Sequence, residues 1–377
     1  MPQVSLKKCE SYGQPQLGLA MADLLAPLGG LTAFVKPGMK VLIKPNLLSA
    51  AHPDRRVTTD PAVVREVAKM VLAIGASPVI ADSPAIDPFK RVAARSGLGQ
   101  VAAELGIPLF PLADPRAAAS PAGCKFKTLE LARAALEADA IINLAKLKTH
   151  CQMFLTLAVK NLFGTVVAQR KAEWHHMAGL DRDLFANLLL DIAATLAPAL
   201  SIVDGVWGME RLGPNHGDPV QLNILAASPD PVALDLSLCR LLGQPLSRFP
   251  LARAASARGL AGADPERVRL LGDPPESLAP AAYKAPELDG MHLAPKVFDW
   301  FTRRYLVSKP VASKQACKLC GRCLAVCPQK AMRLGKARVE IDYGSCIRCY
   351  CCDEVCPEKA IAIKRGLLVK TLNLLGK

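Results

Sequence analysis

A Rossmann-like α/β fold with a mainly parallel sheet, followed by a small α+β cysteine-rich module, is the architecture this sequence predicts. Three observations carry it. Short apolar runs alternate with amphipathic segments across roughly residues 1–270, as strands and helices do in an α/β domain. Asp60-Pro61 and Asp230-Pro231 each place a capping carboxylate and a first-turn proline ahead of an apolar helical stripe. Eight of the thirteen cysteines fall between Cys317 and Cys356, in two copies of one spacing.

The elements follow in order. Lys40 to Lys44, with Val41, Leu42 and Ile43 between, reads as a buried strand ending at Pro45-Asn46. A helix starts at Asp60-Pro61, buries Val63, Val64, Val67, Met70, Val71 and Ile74, and stops at Gly75. Pro78 to Ala81 is the next strand, closed by Asp82-Ser83-Pro84. Ala140 to Leu144 is another, followed by Lys146, Lys148, Thr149 and His150 and then a predicted helix from Gln152 to Leu162. The oily stretch Leu184 to Val203 contains Asn187, Asp191 and Pro198. It therefore predicts a buried helix running into a strand that ends at Asp204-Gly205, not a membrane span. Gly208, Gly213, Pro214 and Gly217 suggest a long loop able to act as a lid. Val220 to Ala226 is a strand ahead of the second capped helix.

These signals divide the chain into an α/β domain over residues 1–271, a proline-rich connector over 272–307, the cysteine module over 308–365 and a basic tail over 366–377. Within the connector and module, Lys296 to Lys314 spaces its apolar residues like a docking helix, and the tail is expected to pack back on the body. The formal charge of +14 favours acidic redox partner proteins or anionic small molecules through steering. No basic stripe interleaved with stacking aromatics occurs, so nucleic acid is not an expected partner. The N-terminus has neither an apolar signal core nor a twin-arginine motif, which predicts a cytoplasmic protein without an integral membrane segment.

The cysteines carry the strongest chemistry. Cys317, Cys320, Cys323 and Cys327-Pro328 repeat as Cys346, Cys349, Cys352 and Cys356-Pro357, each reading C-x2-C-x2-C-x3-C-P. Three thiolates two residues apart lie on one tight loop and reach different irons of a cubane, while the fourth points toward the other cube. Two 4Fe-4S clusters with crossed ligands are therefore expected. Cys317, Cys320, Cys323 and Cys356 would hold one, and Cys346, Cys349, Cys352 and Cys327 the other. Disulfides suit small secreted domains, and zinc sites usually present two short pairs, so both fit this pattern less well. Cys351 breaks the even spacing and is read as a non-ligand beside the second cluster. Cys9, Cys124, Cys151 and Cys239 have no mutual metal spacing and read as small buried apolar residues. With each oxidised cluster contributing roughly −2, the loaded chain would stand near ~+10.

A second group of polar residues gathers where the strands end: Lys44, Asn46, Asp82, Lys146, Lys148, His150 and Asp204. Parallel sheets carry their ligand crevice at that edge. Lysines there suit an anionic group, so Lys44, Asn46, Asp82 and Asp204 are candidate ligand contacts. Lys146, Lys148 and His150 are candidate catalytic residues, His150 for proton transfer. Other motifs fail. Gly97-Leu98-Gly99-Gln100-Val101-Ala102 matches a dinucleotide fingerprint but follows a helical segment where a strand is required. There is no GxxxxGK phosphate loop, and His175-His176 face different directions on a helix.

Taken together, Lys44-Pro45-Asn46-Leu47, Thr59-Asp60-Pro61, Ala81-Asp82-Ser83-Pro84, Lys146-Leu147-Lys148-Thr149-His150, Lys160-Asn161-Leu162-Phe163-Gly164, Asp204-Gly205 with Met209-Glu210, Gly213-Pro214, and Asp230-Pro231-Val232-Ala233 with Asp235 resemble the Domain of Unknown Function 362 family, in that family's order. Cys349-Tyr350-Cys351-Cys352 is also similar to the family's C-terminal two-cluster, ferredoxin-like module. The resemblance implies an iron–sulfur protein of this build and no particular reaction. The expectation is an oxidoreductase component that relays electrons to an anionic ligand in the α/β cleft. The alternative is a non-catalytic electron carrier or redox-responsive scaffold.

Overall fold

A computed structural model describes residues 1–84, 87–167, 170–178, 181–280, 282–286 and 308–364. The described residues form two compact units, one drawn from 1–171 and 183–286, the other from 172–182 and 308–364.

The first unit opens with β1 (Gln3–Lys8), whose alternating residues bury Val4 and Leu6, and with helix α1 (Gln16–Leu25). The βα repeats then begin: β2 (Lys40–Lys44), α2 (Pro61–Ala73), β3 (Ser77–Asp82), α3 (Phe89–Arg95), α4 (Leu98–Leu105) and β4 (Leu109–Pro111). A small hairpin, β5 (Pro115–Ala119) with β6 (Thr128–Ala132), and the short α5 (Arg133–Leu136) lead to the central strand β7 (Ala140–His150). After it come β8 (Phe154–Thr156), α6 (Ala158–Asn161), α7 (Arg170–Ala178), most of which belongs to the second unit, α8 (Arg182–Leu196), β9 (Leu200–Glu210), β10 (Asp218–Ser228), α9 (Pro231–Leu241), α10 (Pro250–Ala257) and β11 (Arg269–Gly272).

Nine of these strands make one sheet in the order β11-β1-β10-β9-β7-β2-β3-β4, with β8 folded back on β7. Five of its pairings are parallel and three antiparallel. The mainly parallel α/β class is as expected. The block β4-β3-β2-β7-β9 is wholly parallel, and its order reverses between β2 and β7, the switch point of a doubly wound sheet. One face of the sheet packs on α1, α2 and α4 through Leu17, Met21, Val64, Val67, Val71 and Val101. Both expected caps form. Asp60 accepts from Ala62 N, and Asp230 accepts from Val232 N and Ala233 N, with proline at the first turn in each helix.

Four expectations change. Gln152 to Leu162 is not one helix: the chain reverses after His150, with Phe154 in a left-handed conformation at φ 70°, pairs β8 against β7, and only then makes α6. β7, β9 and β10 each run 11 residues, well beyond the apolar runs that announced them. The glycine-rich stretch after Asp204 is not a long lid. Gly208 lies inside β9, and the β9–β10 turn is clamped to β7, with Gly213 N donating to Thr149 Oγ1 and Cys151 N to Gly213 O. The connector stretch is, through Pro286, packed on the first unit. Tyr283 is buried and donates to Met209 O at 2.7 Å. The sequence before α4 is helical, which removes the dinucleotide reading of Gly97.

The second unit contains β12 (Lys309–Ala312), α11 (Arg322–Val326), β13 (Met332–Leu334), β14 (Val339–Ile341), α12 (Cys351–Glu354) and β15 (Ile361–Lys364). β12 pairs with β15 and β13 with β14, both antiparallel. Of the expected docking helix, Lys309 to Ala312 is strand; residues 296–307 and the tail 366–377 lie outside the described residues. No described helix is long and apolar enough to cross a membrane.

Candidate functional site

Six of the seven polar residues expected at the strand ends, Lys44, Asn46, Asp82, Lys146, Lys148 and Asp204, join one hydrogen-bond network beside the switch point. His150, further along β7, bonds to the turn that follows it, and most of the seven are fully buried. Lys44, Lys146, Lys148, His150 and Asp204 are each 0% exposed. Alternation along β7 puts Lys146, Lys148 and His150 on one face of its second half.

Each ammonium has partners at hand. Lys44 Nζ lies 2.9 Å from Asp82 Oδ1 and 3.1 Å from Pro45 O. Asp82 also accepts from Leu47 N and Ser83 N. A methyl group at Gly164 would lie 2.8 Å from Lys44 Cε and would strike the Asp82 carboxylate, so only glycine lets this backbone close over the pair. Lys146 Nζ lies 2.8 Å from both Asp204 Oδ2 and the Tyr12 hydroxyl. Tyr12 in turn donates to Asp204 Oδ1 at 2.7 Å, and Asp60 N donates to Asp204 Oδ2. Arg56 stacks over the rings of Tyr12 and Trp207 and pairs with Asp60. Burial draws Lys44 and Lys146 below the ordinary lysine value, against the pull of Asp82 and Asp204 respectively. Burial, then the Asp204 charge, holds Tyr12 well above its ordinary value and so keeps it a hydroxyl donor.

Lys148 opens a chain of amides. Its Nζ donates to Asn46 Oδ1 and Val57 O; Asn46 donates to Asn161, Asn161 to Asn143, and Asn143 to Ser201 Oγ and Ala158 O. Asp235 on α9 accepts from Ala158 N and Val159 N, and burial pushes its carboxyl well above the usual range. His150 Nδ1 accepts from Gln152 N and Met153 N. Its proton therefore sits on Nε2, and any proton transfer must use that atom. Tyr12, Arg56 and Asn143 were not anticipated. Asn161, Gly164 and Asp235 entered only through family resemblance.

Lys171 stands at the edge of this network. It donates to Ser83 O at 2.6 Å, and burial draws its ammonium down to about 7, Asp82 opposing and Lys44 and Lys160 reinforcing. Between about pH 7 and its ordinary value of 10.5 the unfolded lysine binds a proton that the native one lacks, so stability rises with pH across that window. Lys171→Met is expected to reduce that rise and to raise Tm at pH 7, in melts recorded from pH 7 to 10. An unchanged slope would show Lys171 to be solvated.

In the second unit Cys356 lies near Cys317, Cys320 and Cys323, and Cys327 lies near Cys346, Cys349 and Cys352. Burial pushes Cys323 up to about 11, and the neighbouring sulfurs of Cys356, Cys320 and Cys317 push the same way. Burial likewise raises Cys346, with Cys349 and Cys327 adding to it. A small cavity is lined by Cys327, Cys346, Cys349 and Cys352 together with Met332 and Tyr350. Four apposed sulfurs repel one another as thiolates unless a cationic centre compensates them, so both sets suit a metal cluster. The backbone repeats around them. Leu319 and Arg348, Gly321 and Tyr350, and Lys330 and Lys359 hold matching positive φ values of 53° and 56°, 76° and 56°, and 50° and 50°. Such left-handed residues turn successive N–H groups inward into anion-binding nests. Two of those groups reach sulfur, Ala331 N to Cys327 Sγ at 3.3 Å and Ala360 N to Cys356 Sγ at 3.2 Å.

Comparison with known proteins agrees with both units. A family described as Domain of unknown function (DUF362) matches residues 41–240, and a 4Fe-4S dicluster domain matches residues 309–357. The thylakoid-associated protein sll1697 of Synechocystis sp. is 40% identical over 285 residues, covering 76% of this chain and 88% of that protein. Among solved structures, the lactate racemase apoprotein of Thermoanaerobacterium thermosaccharolyticum aligns with a TM-score of 0.42 at 12% identity, over 64% of this chain and 56% of that one. A protein from Thermotoga maritima aligns with a TM-score of 0.38 at 9% identity, over 66% and 60%. The chain thus spans well under two thirds of each of those two structures. With a family match over 200 of its 377 residues and a 4Fe-4S domain behind it, this chain belongs to the DUF362 family and is an iron–sulfur cluster-binding protein.

Proposed function

We propose that the chain is an oxidoreductase component: two 4Fe-4S clusters relay single electrons, and the α/β unit takes an anionic ligand at its switch point. The proximity of Cys356 to Cys317, Cys320 and Cys323, and of Cys327 to Cys346, Cys349 and Cys352, carries this reading. Each bound cluster supplies a one-electron couple. Covalent fusion of the module to the α/β unit keeps such a couple at high effective concentration near its acceptor. At the switch point Lys44, Lys146 and Lys148 would supply positive charge, Asn46 and Asp204 would orient the ligand, Asp82 would hold Lys44 in place, and His150 would offer a proton from Nε2. A reducing compartment such as the cytoplasm is where thiolate-bound clusters persist.

A second reading is favoured by the mutual satisfaction of Lys44 with Asp82 and of Lys146 with Asp204. In that reading the α/β unit is a rigid scaffold and the clusters serve an acidic redox partner protein. One preparation separates the two. Anaerobically isolated protein is expected to carry about eight iron and about eight sulfide per chain and to reduce reversibly in voltammetry. A co-purifying anion, identified by mass spectrometry of the extract, supports the enzyme. Cluster absorbance alone, with turnover only on adding a partner protein, supports the carrier. Zinc as the bound metal, with no inorganic sulfide, overturns both.

A further inference from the structure

Lys171 is held differently from Lys44 and Lys146. Its Nζ donates to Ser83 O at 2.6 Å, and among the described residues no carboxylate oxygen lies within ion-pairing distance of it. Ser83 N in turn donates to Asp82 Oδ1, the oxygen that Lys44 Nζ meets at 2.9 Å. Lys160, on α6, lies 5.8 Å from the Phe163 ring and four residues ahead of Gly164, whose backbone closes over the Lys44–Asp82 pair. The charges acting on Lys171 are therefore two ammoniums, Lys44 and Lys160, against one carboxylate, Asp82. Lys44 and Asp82 are buried, whereas Lys160 and Lys171 are partly exposed. An amine within reach of small molecules thus stands in a surplus of positive charge.

From this cluster we infer that Lys171 is an amine nucleophile that condenses with the carbonyl group of a 2-oxo acid, whose carboxylate is drawn in by Lys160 and Lys44. The inference rests on the anionic-ligand reading of the switch point and names that ligand's chemistry. In the step, Nζ adds to the carbonyl carbon and a C=N bond replaces C=O. The carbonyl oxygen leaves as water with the two amine protons. Only the neutral amine can attack. Burial draws Lys171 down to about 7, with Lys44 and Lys160 reinforcing and Asp82 opposing, so about half of it is neutral at pH 7. An ordinary lysine is neutral in fewer than about one molecule in a thousand at that pH. Lys44 is buried and engaged by Asp82, so Lys160 makes the direct contact with the acid and Lys44 contributes its field.

The test is reductive trapping on the full, anaerobically isolated chain. Pyruvate or propanal is added with cyanoborohydride from pH 6 to 10, and the adducts are mapped by mass spectrometry of peptides. With pyruvate at pH 7, Lys171 is expected to be trapped at least about tenfold faster than the exposed lysines of the same chain. That advantage should shrink toward pH 10, where the exposed lysines also lose protons. Lys160→Met should slow pyruvate trapping at Lys171 several-fold and leave propanal trapping there unchanged. Adducts spread evenly over the lysines, or an advantage that does not vary with pH, would overturn the nucleophile. Equal slowing of both probes in Lys160→Met would overturn the 2-oxo acid. Trapping of propanal at Lys171 with no preference for pyruvate would sink the anionic-ligand reading as well, whereas even labelling sinks only the role of Lys171.

Discussion

Replacing Asp204 with alanine is expected to destabilise the α/β unit by about 3–5 kcal/mol, the cost of stranding a buried charge. Asp204 and Lys146 are both 0% exposed and 2.8 Å apart, so no water replaces the lost carboxylate cheaply. The same change removes the acceptor for Tyr12 and for the backbone N–H of Asp60, the cap of α2. The pH dependence identifies the cause. Burial already holds Lys146 below its ordinary value, and losing Asp204 lowers its native pKa further. Unfolding then takes up a proton over a wider range, so the deficit is largest at low pH and shrinks as pH rises toward 10.5. Lys146→Met combined with Asp204→Leu should recover most of the loss, because a matched apolar pair replaces a broken ionic one. Denaturant unfolding followed by fluorescence reports on this directly, since Trp207 lies beside the network. A deficit below about 1 kcal/mol at every pH would mean that water enters and that the pair is not sealed.

The contrast between what was legible in the sequence and what was not has a physical pattern. Asp60-Pro61, Asp230-Pro231 and the cysteine spacing act through neighbours in the chain, so their consequences were readable. The second half of β7 was not. Lys146, Lys148 and His150 look like a strand end because polar residues usually mark one, yet all eleven residues of β7 are buried. What keeps them inside is supplied from distant segments: Tyr12, Asn46, Val57 and Asp204. β9 and β10 outran their apolar signals as well, extending into the antiparallel hairpin they form together. Gln152 to Leu162 read as helix because its long apolar run carries no period of its own. The positive φ at Phe154, buried against Phe249, turned it into a hairpin. β1 had a usable signal in the alternation of Val4 and Leu6 with polar residues, whereas Tyr12 had none.

The second large effect concerns which cysteines share a cluster, and pairwise removal decides it. Cys317 and Cys356 are far apart in sequence, yet the sulfurs of both act on Cys323. In the crossed arrangement, Cys317→Ala with Cys356→Ala takes two ligands from one cluster and none from the other. That variant should retain about four iron atoms in one undamaged centre, half the wild-type load. Cys317→Ala with Cys327→Ala removes two cysteines of a single motif but one ligand from each cluster, so no undamaged four-iron centre should remain. An uncrossed arrangement predicts the reverse outcome for the two variants. Iron and sulfide content, with the EPR spectrum of the reduced protein, distinguishes them without any knowledge of substrate. The geometry favours crossing for a simple reason. The small cavity that gathers Cys346, Cys349 and Cys352 takes its fourth sulfur from Cys327, at the end of the other motif.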